Sequence, residues 1–214
     1  MKTNFRDWKS DAIDEAFGLK QAYTLPALDE WLKSDYTPSD FDQHHLALLQ
    51  KPLIMGVVGW NEAELENKFI SPLFMLAELN TDTFGYFLER DLTVIIGEYE
   101  LWGRVDGLIA TGVRSPKLPF FCLNEYKRQT DPDGEPQGQA LIAMLAAQHL
   151  RNDQRPVYGC YVIGRDWSFM VLDGNQYAVS QGFGADGSQI NDIYRMLRGL
   201  KTIVEREIIL LGLA

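Results

Sequence analysis

The chain has 214 residues, 46% hydrophobic and 23% charged, a balance that suits one folded domain and excludes wholesale disorder and collagen-like or repetitive architectures. Its 30 acidic and 20 basic side chains leave a net charge of −10. That excess of acid excludes a general nucleic-acid coat, because neutralising phosphates requires Lys and Arg in surplus.

In chain order, residues 1–7 lack the apolar core of a signal segment. No run approaches the ~20 apolar residues of a membrane span, so a cytoplasmic protein without a membrane partner is expected. Residues 1–55 read as an irregular, partly helical leader. Helical spacing covers residues 10–20, a second short helix opens after Thr24 with Pro26 in its first turn, and residues 34–40 are turn chemistry. The remainder, 56–214, reads as the main domain. Asn61 followed by Glu64 has capping-box spacing and starts a helix whose Leu65, Phe69, Leu73 and Leu76 share one face. Pro72 is expected to kink or restart it. Strands are predicted over 86–88, 92–100 and 101–110, then, past a Pro-containing loop, over 120–123 running into Asn124-Glu125-Tyr126-Lys127. A turn over 130–136 leads into a helix at 137–150 and a strand at 157–163. A hairpin follows, with arms at 167–172 and 177–180 around Asp173-Gly174. A long amphipathic helix over 189–211 carries Ile190, Ile193, Leu197, Leu200 and Val204 on one stripe. This order predicts an α/β fold, a central mixed β-sheet flanked by helices.

The charge is unevenly spread. Residues 101–128 carry five basic and two acidic side chains, a locally basic stretch. Within it, Glu125 and Lys127 are two apart on a strand and therefore share a face. Asp106 lies one strand earlier, and an antiparallel return would bring it beside Glu125. Two neighbouring carboxylates repel unless a cation sits between them, and an oxygen-loving divalent ion, Mg²⁺ or Mn²⁺, is the natural occupant. Lys127 at the rim is then placed to orient an attacking water or to hold charge developing on a phosphoryl oxygen. The same residues also admit plainer readings, Glu125 and Lys127 as an exposed surface pair and Asp106 as a turn residue before Gly107.

Asp106 within Gly103-Arg104-Val105-Asp106-Gly107, a loop, an apolar strand and then Glu125-Tyr126-Lys127 resemble the PD-(D/E)XK nuclease superfamily. The likeness is to the nuclease domain at the amino terminus of type I restriction enzyme motor subunits and to related stand-alone proteins. The helix from Asn61 to Leu73, the segment Gln137-Gly138-Gln139-Ala140 and the strand Tyr158–Gly164 are similar to that group as well. The resemblance spans about residues 61–180. It implies a restriction-endonuclease-like sheet, Asp106 and Glu125 as metal ligands, and Lys127 as catalytic base or stabiliser. It further implies Glu62 as a third metal ligand and Gln139 as a helix residue reaching the site. A Mg²⁺-dependent nuclease acting on DNA is the expectation, with a non-catalytic nuclease-like binding or assembly module as the alternative. A protein partner or a homodimer is compatible with either. Arg104-Val105 stands where the superfamily name has Pro before the Asp, and no helicase motif follows.

Other patterns carry less. Gly182–Gly187 matches G-x-G-x-x-G, yet no strand follows the next helix, so a dinucleotide site is not expected. His44, His45 and His149 lack metal-ligand spacing. Cys122 and Cys160 sit in apolar runs and read as buried thiols.

Overall fold

In the computed structural model, which describes residues 1–130 and 134–213, the chain opens with a short strand, β1 (Lys2–Asn4), and a single 3₁₀ turn (Phe5–Asp7) closed by an Asn4/Asp7 capping box. Helix α1 (Ser10–Phe17), strand β2 (Lys20–Gln21) and helices α2 (Pro26–Leu32) and α3 (Asp40–Gly56) complete the segment expected as a leader. Its two strands join the main sheet, β1 beside residues 100–102 and β2 beside residues 176–177. Helix α3 was not foreseen. Its apolar positions form no clean stripe, and Pro52 interrupts it, but Ser39 and Asp42 make a capping box that fixes its start.

The helix foreseen from Asn61 is present in three pieces. Helix α4 (Glu62–Leu65) starts on the Asn61/Glu64 capping box, a π turn follows (Glu66–Ile70), and α5 (Ser71–Leu76) ends it. The Ser71 N–H reaches back five residues to the Glu66 carbonyl. The widened turn sits just ahead of Pro72, whose ring and missing N–H disturb the regular ladder. Two long strands come next, β3 (Phe84–Ile96) and β4 (Tyr99–Thr111). The expected break at residue 100 is instead a tight turn at Gly97, which takes φ +59°, a conformation glycine adopts without strain. Strand β5 (Lys117–Lys127), helix α6 (Pro136–Arg151) and strand β6 (Val157–Ile163) make a βαβ unit. The turn expected over 130–136 lies partly outside the described residues. The hairpin is β7 (Asp166–Asp173) and β8 (Gln176–Val179), and β9 (Phe183–Gly184) pairs with β7 from inside the glycine-rich segment. Helix α7 (Ile190–Leu210) follows the expected span.

Among the described residues these nine strands form one mixed sheet, ordered β1-β4-β5-β6-β7-β8-β2, with β3 on the other edge of β4. The α/β architecture read from the sequence is therefore the observed one. Two hydrophobic layers sandwich the sheet. One joins α2, α3, α5 and α7 to one face through Trp31, Phe69, Phe74, Tyr194 and Leu197. The other buries α6 and the amino-terminal segment through Phe5, Trp8, Leu141 and Met144. Cys122 and Cys160 are both buried and unpaired. No helix among the described residues is long and apolar enough to cross a membrane.

Candidate active site

The carboxyl end of β5 leaves the apolar layer carrying three consecutive buried residues, Glu125, Tyr126 and Lys127. Alternation puts Tyr126 on the α5/α7 side, where its hydroxyl meets that of Tyr86 at 2.7 Å. Glu125 and Lys127 point the other way and form an ion pair, Nζ to Oε1, at 2.7 Å. Both are more than nine-tenths buried, Glu125 at 7% and Lys127 at 5% exposure, so the exposed surface pair is excluded.

Asp106 joins them through a break in alternation. On β4, Leu101 and Val105 lie in the α6 layer, but so do Leu108 and Ala110, so the pattern slips by one position around Asp106. Strand β3 slips in the same place: Phe87 lies in that layer, and so do Leu92 and Val94. Glu89, facing Asp106 between the pairs Leu88–Gly107 and Arg90–Val105, takes φ +48°, the left-handed region that is costly for a residue with a side chain. The last residue pair of the β4–β5 ladder on this side is Gly107 with Asn124. Beyond it the Tyr126 N–H is free of the ladder and donates to Asp106 Oδ2 at 2.7 Å. Gly107 is required here, since a methyl group would stand 2.6 Å from the Tyr126 hydroxyl and 2.8 Å from the Tyr86 ring.

The electrostatics follow from burial and crowding. Burial pushes the Glu125 carboxyl up to about 7, and the neighbouring Asp106 charge adds to the rise although Lys127 opposes it. Asp106 is likewise raised, first by burial, against the pull of the Tyr126 N–H and Lys127. Burial alone would lower Lys127, but the charges of Glu125, Glu62 and Asp106 outweigh it and hold the ammonium above its ordinary value. The cluster is short of positive charge: one buried ammonium faces several carboxylates.

Glu62, at the start of α4, reaches Lys127 at 3.7 Å with its side chain about half exposed. Gln139 on α6 is buried at 4% exposure, forms no hydrogen bond to Asp106, Glu125 or Lys127 among the described residues, and leaves its Oε1 unpartnered. Two contributors were not foreseen. Glu66, one helical turn after Glu62, is raised by burial and by the Asp106 and Glu89 charges, so it faces the same cluster. The four-residue spacing of Glu62 and Glu66 is the signal that could have found it. Arg6 lies near enough for its charge to oppose the rise at Asp106, and nothing in its local sequence points there.

No group of three or more His, Cys, Asp or Glu side chains among the described residues is arranged to hold a metal ion. The donor set that does converge is the two carboxylates of Asp106 and Glu125. Two carboxylates, with the remaining positions left to water and substrate oxygens, match what Mg²⁺ ordinarily accepts from a protein. Their raised affinity for protons comes first from burial, with repulsion from Asp106 adding to it at Glu125, and a divalent cation between the two would relieve that repulsion. No protein-family model matches the chain, and no curated protein matches it.

Proposed function

We propose that the protein is a Mg²⁺- or Mn²⁺-dependent nuclease of the PD-(D/E)XK kind that hydrolyses phosphodiester bonds, with DNA as its substrate. One observation carries the reading: Asp106, Glu125 and Lys127, from two adjoining strands, meet as two proton-avid carboxylates, Glu125 buried and Asp106 partly buried, beside one buried ammonium. Asp106 and Glu125 would hold the ion, which supplies Lewis-acid polarisation of a phosphoryl oxygen when bound. Tyr126 fixes Asp106 through its backbone N–H, so the carboxylate needs no reorganisation when substrate arrives. Lys127, held by Glu125, presents a cation whose charge is retained at neutral pH and which stabilises the phosphorane-like charge of the transition state. It also has the reach to orient the attacking water through an N–H.

Nicking of a supercoiled plasmid in Mg²⁺ tests this reading. The parent protein should cut, whereas Asp106→Asn and Lys127→Ala should lose at least about a hundredfold in rate, the scale of removing one preorganised charge. Equal rates for parent and variants would overturn it. A second reading, a nuclease-like module that binds without cutting, is favoured by the net charge of −10, which works against approach of a polyanion. Binding of a DNA duplex by the parent with no cleavage in either metal would select it.

A further inference from the structure

The amino-terminal segment, which the motif leaves without a role, is built into one wall of the candidate site. Strand β3 occupies one edge of β4 along its length, so β1 and β5 share the other. On that shared edge β1 covers residues 100–102 and β5 covers residues 107–111. Residues 103–106 of β4, ending in Asp106, are paired to neither strand. The 3₁₀ turn fills this gap. Phe5 lies so close over Gly103 that a methyl group there would meet its ring at 2.5 Å.

The turn is held firmly. Trp8 Nε1–H donates to Thr3 Oγ1 at 3.1 Å, and the Ser10 N–H and hydroxyl both donate to the Glu135 carboxylate at 2.9 Å. At Gly138, in the first turn of α6, a methyl group would stand 2.8 Å from the Trp8 carbonyl, so the two segments are in backbone contact. Beside this junction opens a cleft of about 410 Å³ lined by Arg6, Asp7, Trp8, Lys9, Gly134 and Glu135. Its two acids are committed elsewhere, Glu135 to Ser10 and Asp7 to the Asn4 N–H at 3.1 Å. Its two cations are exposed, and Arg6 forms no ion pair among the described residues. The buried Gln139 amide, whose Oε1 has no partner, lies against Gly134, one of the residues that line the cleft.

We propose that this cleft is the backbone-binding arm of the site, in which Arg6, assisted by Lys9, holds a phosphate of the polynucleotide strand adjacent to the one at Asp106 and Glu125. The proposal rests on the nuclease reading. A guanidinium presents a planar fork that matches a phosphate's oxygens, and a rigid turn spends little entropy in placing it. It would also answer a difficulty of the fold, that a polyanion must reach a cluster of acids on a protein of net charge −10.

The test is the affinity for a short fluorescein-labelled DNA duplex, measured by anisotropy with Ca²⁺ in place of Mg²⁺ at several salt concentrations. Arg6→Gln should weaken binding roughly tenfold and reduce the slope of log K against log salt by about one, the loss of one phosphate contact. Arg6→Glu should weaken it further. Lys20→Gln, an exposed cation on the far strand β2, should leave binding unchanged. Circular dichroism should show all three variants folded as the parent is, so that a loss of affinity at Arg6 reads as a lost phosphate contact. If Arg6→Gln and Arg6→Glu bind within twofold of the parent while Asp106→Asn still abolishes cleavage, the arm is refuted and the nuclease reading stands. If the parent neither binds nor cuts the duplex, both fall together.

Discussion

Replacing Asp106 by Asn should make the protein more stable at alkaline pH while removing the proposed nuclease activity. The buried Glu125 carboxyl sets the magnitude. Glu125 is shifted from 4.5 to about 7, which means that the folded protein keeps a proton that the unfolded chain has already released. At roughly 1.4 kcal/mol per pH unit, ionising Glu125 in the folded state costs about 3 kcal/mol by pH 8. The sign follows: the raised acid leaves stability intact below pH 4.5, and stability declines as pH rises from 4.5 to about 7. Repulsion from Asp106 is the largest cause after burial, so removing that charge should recover about 1–2 kcal/mol above pH 7. Removing the raised Asp106 carboxyl itself acts in the same direction. Asn retains an oxygen for the Tyr126 N–H, so the backbone anchor survives. For a domain of this size the gain is about 3–6 °C in melting temperature. Thermal unfolding of parent and variant, followed by circular dichroism without added metal, should give curves that converge below about pH 4 and separate at pH 8 with the variant higher. A variant that melts below the parent at pH 8 would mean that Asp106 and Glu125 do not crowd one another, and the site geometry would be wrong.

Gly107→Ala should destabilise the fold by about 1–3 kcal/mol, because the added methyl meets the Tyr126 hydroxyl and the Tyr86 ring, and chemical denaturation would measure it. Asp42 accepts hydrogen bonds from the Tyr36, Ser39 and Tyr194 hydroxyls and from the Ser39 N–H, at 2.7–2.8 Å. Burial pushes its carboxyl up, but these bonds outweigh it and hold it at about 2. Its contribution, at most roughly 2 kcal/mol, should be present above about pH 4 and lost as pH falls towards 2, so Asp42→Ala should flatten the acid limb of a denaturation profile. Trp31→Phe removes the indole N–H bonded to the buried Met196 carbonyl at 2.8 Å and should cost about 1–3 kcal/mol in equilibrium unfolding. Lys127→Met should leave the buried Glu125 without its closest cation, and Glu125 should then titrate higher than in the parent when followed by NMR.

Much of this architecture is written locally. The capping box at Asn61/Glu64, the stripe of α7 and the Gly174 turn between β7 and β8 each place an element where short-range chemistry puts it. The two-residue period of a strand likewise fixes Glu125 and Lys127 on one face, and the apolar run before them fixes their burial. Helix α3 escaped because its apolar residues are not gathered on one side. The single long β3 escaped because alternation slips within it, at Glu89.

That slip marks the boundary between sequence and tertiary structure. Uniform periodicity has no means of rotating Asp106 relative to its own strand. The rotation exists because β3 and β4 change phase together, with Glu89 in a left-handed conformation that only the surrounding sheet can sustain. Arg6 and Glu66 reach the site for the same kind of reason, one through a strand that pairs about a hundred residues away, the other through a widened helical turn. The raised carboxyls are likewise a property of the assembled interior, since burial, their largest cause, arises only when both layers close over the sheet. The sequence by itself determined which residue types could carry this chemistry and which strand face two of them share. Only the folded chain decided that they meet, because proximity across strands depends on register and phase, which local patterns do not encode.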